Sequence, residues 1–217
     1  LLSIGLPPHL ALGTNKLQSS FGSGSASLNF LLAKKVNLKE CLFGIITTFI
    51  GASLGTILVQ FIDSSFLGKL IPFLLLAILI YTLFTPKIGI SDIKPRMKEK
   101  AFYLIFGISI GFYDGFFGPG TGSFWAILYI LLLGYNFSKA TAYTKIMNFT
   151  SNVASLLFFI IGGKVIFHYG LVMGIGQMIG ARIGARLVIY RGVKIIKPVF
   201  ILVVLAITIK LIYQNFR

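Results

Sequence analysis

The sequence predicts an all-α fold: a polytopic helical membrane protein built from two tandem repeats, with broken helices. Charged residues make up only 12% of the 217 residues, about half of the ~25% found in soluble domains. Continuously apolar runs of about 20 residues recur, which is the length that crosses ~30 Å of hydrocarbon. The chain also matches itself without gaps after a constant shift, which places Lys16 on Lys145. Because the runs do not alternate between apolar and polar residues, helices are favoured over a membrane barrel.

Seven apolar segments follow one another along the chain. They cover residues 10–33, 41–61, 66–85, 101–133, 140–161, 167–190 and 195–213. The one long polar connection between them, residues 86–100, reads PKIGISDIKPRMKEK. We therefore divide the chain into a first transmembrane repeat (1–85), a charged cytoplasmic linker (86–100) and a second transmembrane repeat (101–217).

The internal match indicates a duplication, because lysines and a Gly-Ala-x-x-Gly motif recur in register, and such residues rarely match by chance in an apolar chain. The matched pairs include Lys16 with Lys145, Lys35-Val36 with Lys164-Val165, Gly51-Ala52 with Gly180-Ala181, and Gly55 with Gly184. Residues 101–129 would match positions before Leu1, so we expect roughly 30 residues of the first repeat to precede this sequence.

The relative orientation of the repeats depends on residues 101–133, which are too long for one crossing of about 20 residues. If this run is a hairpin of two short half-helices, the repeats are inverted and most basic loops share one side. If it is one long broken helix, the repeats are parallel and Lys139 and the basic residues after Tyr190 move to the opposite side. The tendency of basic loops to be cytoplasmic favours inverted repeats.

The net charge is +15, which in a soluble domain would suggest nucleic acid. Here most basic residues lie between apolar runs, so the charge indicates positive-inside topology and contact with anionic membrane lipids, and we expect no nucleic-acid partner. Cys41 is the only cysteine, which excludes an internal disulfide and a cysteine-based metal site. We expect no cofactor, no metal site and no catalytic residues.

A break in the second repeat is the first candidate for chemistry. The stretch Gly111–Phe124 reads GFYDGFFGPGTGSF inside an apolar run. Its GPGTG frees backbone groups from the helix, which a membrane tolerates only where they are buried in protein or face a watery cavity. A new helix over about 121–133 would present its N-terminus to an anion, with Thr121 and Ser123 as caps and ligands. The alternative is a glycine hinge or packing turn without a ligand.

Asp114 precedes this break, whereas the other four acidic residues fall in loops or at segment ends. A charge inside a membrane costs about 2.5–3.5 kcal/mol on the insertion scale, so it is normally paired or functional. We interpret Asp114 as a proton-coupling residue. The alternative is an aspartate that caps a helix or pairs with a lysine for structural reasons.

A polar stripe follows a lysine in each repeat. Lys145, Asn148 and Asn152 lie at i, i+3 and i+7, on one helical face. Thr144, Ser151 and Ser155 widen that face. In the first repeat, Asn15, Lys16 and Gln18 lead into a similar stripe. Ammonium, amide and hydroxyl donors suit an oxyanion. The predicted substrate ligands are therefore Asn15, Lys16, Gln18, Thr121, Ser123, Lys145, Asn148, Ser151 and Asn152. The alternative is that both lysines reach the membrane surface while the small residues pack helices.

GFYDGFFGPGTGSF, followed by GYNFSKATAYTKIMNFTSN, resembles the sulfite exporter TauE/SafE family, also called the TSUP permeases. LALGTNKLQSSFGSGSAS, GGKV at 162–165 and GARIGARLV at 180–188 fit the same family, so the resemblance covers essentially the whole chain. It implies a multi-pass bacterial inner-membrane protein, built by duplication, that moves small sulfur-containing anions. The subgroup nearest this sequence has no settled substrate.

These observations predict a permease that moves a small anion such as sulfite, thiosulfate or a sulfonate by alternating access, as a possible homodimer. Duplicated repeats and broken helices are typical of secondary transporters. Two alternatives stay open: a non-transporting membrane subunit, and a membrane-embedded enzyme. One intramembrane acid and two isolated histidines do not supply the paired acids or metal cluster that such an enzyme needs, so we expect no enzymatic activity.

Overall fold

The computed structural model describes residue 1, residues 5–67, residue 70 and residues 91–191, and in these ranges the chain forms helices and no strands. In chain order they are α1 (Pro8–Leu32), α2 (Leu38–Phe61), α3 (Glu99–Phe102), α4 (Ile108–Phe116), α5 (Thr121–Leu133), α6 (Phe137–Ile161) and α7 (Phe167–Arg191). A π-helical turn, Tyr103–Gly107, joins α3 to α4. The predicted segment 195–213 and most of 66–85 lie outside the described residues.

Three helices in the described ranges are long and apolar enough to cross a membrane: α2, α6 and residues Phe167–Ile189 of α7. Their outward faces are apolar. Leu54 of α2 is 52% exposed, and Ile179 and Ile183 of α7 are 55% and 57% exposed. Large aliphatic side chains on an outer surface suit lipid, because lipid tails do not exclude them as water does. The all-α, multi-pass membrane class is thereby confirmed.

Residues 92–136 form the hairpin that the sequence left as one of two options. The Ile93 N–H donates to the Gly134 carbonyl at 2.8 Å, and the Arg96 N–H donates to the Leu132 carbonyl at 2.8 Å. The start and the end of this segment therefore meet, and α5 runs back along α3 and α4. The last part of the predicted linker packs onto the end of α5 and enters α3 at Glu99. The GPGTG break is the tip of this hairpin.

The hairpin is attached to α2 through glycines. A Cβ on Gly51 or Gly55 of α2 would overlap backbone atoms of α4, and a Cβ on Gly115 would overlap the backbone of Ala52. Small residues let two helix backbones approach this closely, which is how membrane helices gain packing energy without a hydrophobic driving force. Gly180 and Gly184 of α7, which match Gly51 and Gly55 in sequence, have no described residue within 4 Å of the position that a Cβ would occupy.

The helix bounds are consistent with the predicted duplication. The shift that places Lys16 on Lys145 also places both ends of α1 on the ends of α6, and the start of α2 on the start of α7. The turns after α1 and α6 also agree: the Lys35 N–H donates to Phe30 O at 3.0 Å, and the Lys164 N–H donates to Phe159 O at 2.8 Å. Each turn contains one left-handed residue at the same place, Lys34 (φ 53°) and Gly163 (φ 64°).

Two reciprocal hydrogen bonds connect the matching segments. The Asn37 N–H donates to the Tyr143 hydroxyl at 3.3 Å, and the Ile166 N–H donates to Thr14 Oγ1 at 3.0 Å. The same shift relates Asn37 to Ile166 and Thr14 to Tyr143, so each half makes the same contact to the other, as across a two-fold axis. The end of α1 therefore lies beside the start of α6. The two helices run antiparallel, which is the inverted arrangement.

Most described basic side chains gather at one end of the molecule. The loops 33–37, 92–98 and 134–136 lie there and hold or adjoin Lys34, Lys35, Lys39, Lys94, Arg96, Lys98, Lys100 and Lys139. We call this the basic end. The opposite end contains the start of α1, the end of α2 and the loop 162–166. With 13 residues at 1.5 Å per residue, α5 carries the GPGTG tip about 20 Å inward from the basic end.

Candidate functional site

The break between α4 and α5 has a defined shape. Gly118 (φ 97°) and Gly120 (φ 84°) adopt left-handed backbone conformations, which glycine adopts without steric cost. The Tyr113 hydroxyl donates to the Pro119 carbonyl at 2.8 Å, and Thr121 Oγ1 donates to the Gly118 carbonyl. Gly120 is the residue before α5 and offers no side-chain cap. The expectation that Thr121 and Ser123 cap this helix is therefore wrong, because the turn itself uses the Thr121 hydroxyl.

Asp114 lies in a buried ion pair beside the break. Lys16 Nζ of α1 donates to Asp114 Oδ1 at 2.8 Å and also to the Asp114 backbone carbonyl. The Ser151 hydroxyl of α6 donates to Asp114 Oδ2. Lys16 is 2% exposed and Asp114 3%. The acid and base of this network are 98 residues apart in sequence, and it ties α1, α4 and α6 together.

The network is consistent with the electrostatics of a broken helix. The last carbonyls of α4 have no partner within the helix, and they carry the negative end of its dipole. The Lys16 ammonium compensates the Asp114 carbonyl and the Asp114 carboxylate, while Ser151 satisfies the second carboxylate oxygen. A Cβ at Gly118 would lie 2.9 Å from Asp114 Oδ1 and 3.1 Å from Lys16 Nζ. Glycine is thus required here for space as well as for its φ angle.

A second polar group lies at the start of α5. The Asn148 side-chain nitrogen lies 3.3 Å from the point where a Gly122 Cβ would be, and the Thr144 methyl group lies 4.0 Å from it. Asn148 Oδ1 and Thr144 Oγ1 are buried and have no hydrogen-bond partner among the described residues. Unsatisfied polar atoms at a buried position are uncommon and call for an explanation, such as a bound group. Thr144 belongs to the predicted polar face of α6, although it was not among the predicted ligands.

The two groups adjoin each other along α6, because Ser151 Oγ, which binds Asp114, lies 3.1 Å from the Asn148 carbonyl. The structure thus brings together five predicted site residues: Lys16, Asp114, Thr121, Asn148 and Ser151. Asn148 and Ser151 lie deep within α6, and Thr121 starts α5 at the same depth.

The remaining predicted ligands lie around this core. Asn152 Nδ2 is 3.3 Å from Ser23 Oγ, and these two residues occupy matching positions of the repeats. Lys145 is half-buried, one turn from Asn148, and forms no hydrogen bond or ion pair with a described residue. Gln18 Oε1 is buried and has no hydrogen-bond partner in the described part of the chain. Asn15 and Ser123 are half-buried, and their side chains form no hydrogen bond with a described residue of the break.

The two matching lysines do not lie side by side. Lys16 is eight residues from the start of α1, and Lys145 is eight residues from the start of α6. At 1.5 Å per residue each is about 12 Å inside its helix, counted from opposite ends of the molecule. Within the described ranges, no group of three or more His, Cys, Asp or Glu side chains could hold a metal ion.

Comparison with known proteins agrees with this architecture. The family model for the sulfite exporter TauE/SafE matches residues 1–211. A protein of Haemophilus influenzae named "Probable membrane transporter protein" is 47% identical over 215 residues, which are 99% of this chain and 84% of that protein. No solved structure matches the chain.

Two further relatives carry similar names. The "Probable membrane transporter protein YfcA" of Escherichia coli K12 is 45% identical over 215 residues, covering 99% of this chain and 80% of the relative. The "Probable membrane transporter protein ORF9" of Sinorhizobium sp is 44% identical over 212 residues, covering 98% and 81%. The family match extends over nearly the whole chain, and the helices and their break agree with a multi-pass membrane protein. The chain therefore belongs to the sulfite exporter TauE/SafE family of membrane transporters.

Proposed function

We propose that this protein is a secondary transporter that moves a small sulfur-containing anion, of the sulfite, thiosulfate or sulfonate class, across the bacterial inner membrane. The observation that carries the proposal is the group of polar side chains at the start of α5. There the buried Thr144 hydroxyl has no hydrogen-bond partner among the described residues, and the Asn148 side-chain nitrogen lies 3.3 Å from the point where a Gly122 Cβ would be. The sulfur class comes from the family, and the basic end is assigned to the cytoplasm by the positive-inside tendency.

The start of α5 and the facing side of α6 supply the donors that an oxyanion needs. At the start of α5 the Thr121 and Ser123 N–H groups donate to the Gly118 and Gly120 carbonyls at 3.2 and 2.9 Å, whereas the Gly122 N–H has no backbone partner among the described residues. A free N–H at a helix start, together with the helix dipole, favours an anion.

The Asn148 side-chain amide and the Thr144 methyl group face this helix start, and the hydroxyl of the same Thr144 side chain is buried without a partner among the described residues. Lys145, one turn away and unpaired in the described part of the chain, adds a positive charge. Neutral and charged donors in a site shielded from water hold an oxyanion strongly.

In our proposed mechanism, Asp114 couples a proton to the movement of the anion. The Lys16 ammonium is occupied by Asp114 as long as the carboxylate is charged. When Asp114 takes up a proton, its attraction for Lys16 falls, and Lys16 can turn to an anion at the neighbouring break. The inverted halves then expose the site to one end of the molecule at a time, which is the usual form of alternating access in repeat-built transporters.

Thermal unfolding of the purified protein with sulfite, thiosulfate, sulfate, sulfoacetate, taurine and chloride tests the site. A ligand that binds only the folded state stabilises it by about 2.7 kcal/mol at 100 times its Kd. We expect selective stabilisation by one sulfur oxyanion, and its loss in Thr144→Val, Asn148→Leu and Lys145→Ala. Thr141→Val is the matched control, because the Thr141 hydroxyl donates to the Phe137 carbonyl of its own helix.

The outcomes separate the parts of the proposal. If none of the six anions stabilises the protein at millimolar concentration, the substrate class is wrong. If one of them does and Lys145→Ala binds it with unchanged affinity, Lys145 is not a ligand. Equal losses in Thr144→Val and Thr141→Val would mean that α6 has been disturbed generally and that the start of α5 is not the binding site.

A further inference from the structure

A cluster of polar contacts joins the two halves at the basic end. The Tyr143 hydroxyl of α6 donates to Glu40 Oε2 at 2.6 Å and accepts the Asn37 N–H at 3.3 Å. The Asn37 side chain donates to Glu40 Oε1 at 3.0 Å. Tyr143 is 1% exposed. We call these three residues the basic-end clamp. The clamp holds the first turn of α2 against the first turns of α6.

The opposite end has the same backbone contact without the acid. There the Ile166 N–H donates to Thr14 Oγ1 at 3.0 Å. The residue that matches Glu40 is Tyr169, which is 42% exposed and is not a carboxylate. Hydrogen bonds to an ionised group are roughly twice as strong as neutral ones. The contacts at the two ends thus occupy matching positions in the repeats, but the hydrogen bonds to Glu40 make the basic end the more strongly held of the two.

We propose that Tyr143 and Glu40 are the gate residues of the transporter at its basic end. They close the space between α2 and α6, and their hydrogen bond must break before that end opens to release or admit the anion. This inference rests on the proposed alternating access, but its test contains no anion, so the two proposals can fail separately.

The helix packing shows that the clamp lies between two groups of helices: α2 with the hairpin on one side, and α6 on the other. The glycine contacts hold α2 close against α4, so α2 and the hairpin move together. The polar stripe of α6 faces this body from the other side, with Asn148 and Ser151 at the break. Separation of α2 from α6 at the clamp therefore opens a path from the basic end toward the break. Around the clamp, the other charged groups are Lys139, whose ammonium lies 4.0 Å from the centre of the Tyr135 ring, and Glu99.

The only cysteine of the chain reports on this opening. Cys41 follows Glu40 directly, its Sγ lies 3.6 Å from the Asn37 carbonyl, and it is 0% exposed. It packs in the same cluster as Phe102, Tyr103 and Tyr143. Because Tyr143 of α6 belongs to this cluster, parting of α2 from α6 at the basic end exposes Cys41 to a thiol reagent. Opening of the clamp can therefore be measured on the native cysteine, without introducing another one.

The experiment measures the rate at which N-ethylmaleimide alkylates Cys41 in the purified full chain in lipid nanodiscs without added anion. We expect slow alkylation of the parent protein and about tenfold faster alkylation in Tyr143→Phe and Glu40→Gln, which corresponds to about 1.4 kcal/mol. Tyr129→Phe is the matched control, because its hydroxyl lies in the same aromatic cluster and contacts Tyr103, not the clamp. Thr14→Val controls for loss of the opposite-end hydrogen bond. Both controls should alkylate at the parent rate.

Hydrogen exchange distinguishes opening of the clamp from general unfolding. In Tyr143→Phe, amides at the start of α2 should exchange about tenfold faster, while amides around Gly51 keep their protection. The proposal is overturned if Cys41 reacts at the parent rate in both clamp variants. It is also overturned if Tyr129→Phe reacts as fast as Tyr143→Phe, or if the Gly51 region loses protection equally.

Discussion

Removing one partner of the Lys16–Asp114 pair is the most direct test of how the break is held together. Lys16→Met keeps the length of the side chain but leaves the Asp114 carboxylate buried, with Ser151 as its remaining side-chain donor. Breaking a buried ion pair from one side typically costs about 3–5 kcal/mol, because a buried charge is left without compensation. Here the upper part of that range is expected, because Lys16 also compensates the Asp114 backbone carbonyl.

The double variant Lys16→Met/Asp114→Asn completes a cycle. With both charges removed, no charge is left uncompensated, and replacing both partners of a buried pair is often close to neutral. We expect the double variant to regain at least about 2 kcal/mol relative to the sum of the single losses, within the range of contacting residues. The free energies come from unfolding by denaturing detergent in mixed micelles. Lys35→Met, at an exposed lysine, should change stability by less than about 0.5 kcal/mol.

Two results would refute this reasoning. Single losses below about 1 kcal/mol would mean that the ion pair does not stabilise the fold, since removing one partner of a buried pair should cost several times more. Additive losses in the double variant would mean that Lys16 and Asp114 act independently, since residues in direct contact should couple.

Three further predictions concern the neighbourhood of the break. Gly55→Ala should destabilise the protein by about 1–3 kcal/mol through overlap with the α4 backbone. Gly180→Ala, whose Cβ would meet no described residue within 4 Å, should be neutral or gain up to about 1 kcal/mol in helix propensity; both free energies are read from unfolding in mixed micelles. In the same assay Gly118→Ala should lower the free energy of unfolding more than Gly163→Ala, since both residues have positive φ but only Gly118 lies against the ion pair. Equal losses would argue against close packing of Gly118 on the ion pair. In proteoliposomes loaded with thiosulfate or sulfite, Asp114→Asn should remove the pH dependence of anion flux, and an unchanged pH profile would exclude its proton role.

The sequence was sufficient to predict the helical class and the break before Thr121, and the antiparallel course of α1 and α6 is consistent with the inverted option. Those features depend on local composition and on the constant register between the two halves, both of which are visible in a single chain. The Lys16–Asp114 pair was not predictable as a pair, because the folded hairpin, not the sequence spacing, brings together two residues that are far apart in the chain. A structural pair between Asp114 and a lysine was one of the open alternatives, but the sequence did not indicate which lysine is the partner.

Another miss has a similar cause. Thr121 was expected to cap α5, but the left-handed backbone at Gly120 lets the Thr121 hydroxyl reach the Gly118 carbonyl instead. This miss concerns a contact made by the turn and not by the sequence spacing. The hydrogen bonds of the Tyr143 hydroxyl to Glu40 and Asn37 also come from tertiary structure, because nothing near Tyr143 in sequence reveals that Glu40 lies opposite.

The antiparallel course of α1 and α6 has a consequence for how the chain enters the membrane during synthesis. The turn lysines Lys35 and Lys164 occupy matching positions and lie at opposite ends of the molecule. As signals for the insertion machinery they offset each other, because basic residues orient a chain through their excess on one side. Among the described residues the excess lies at the basic end, at Lys34 and Lys39, which match Gly163 and His168, and at the hairpin's base, from Lys94 to Lys100 and at Lys139. We therefore expect the basic stretch between the halves, together with Lys34 and Lys39, to orient the described helices in the membrane.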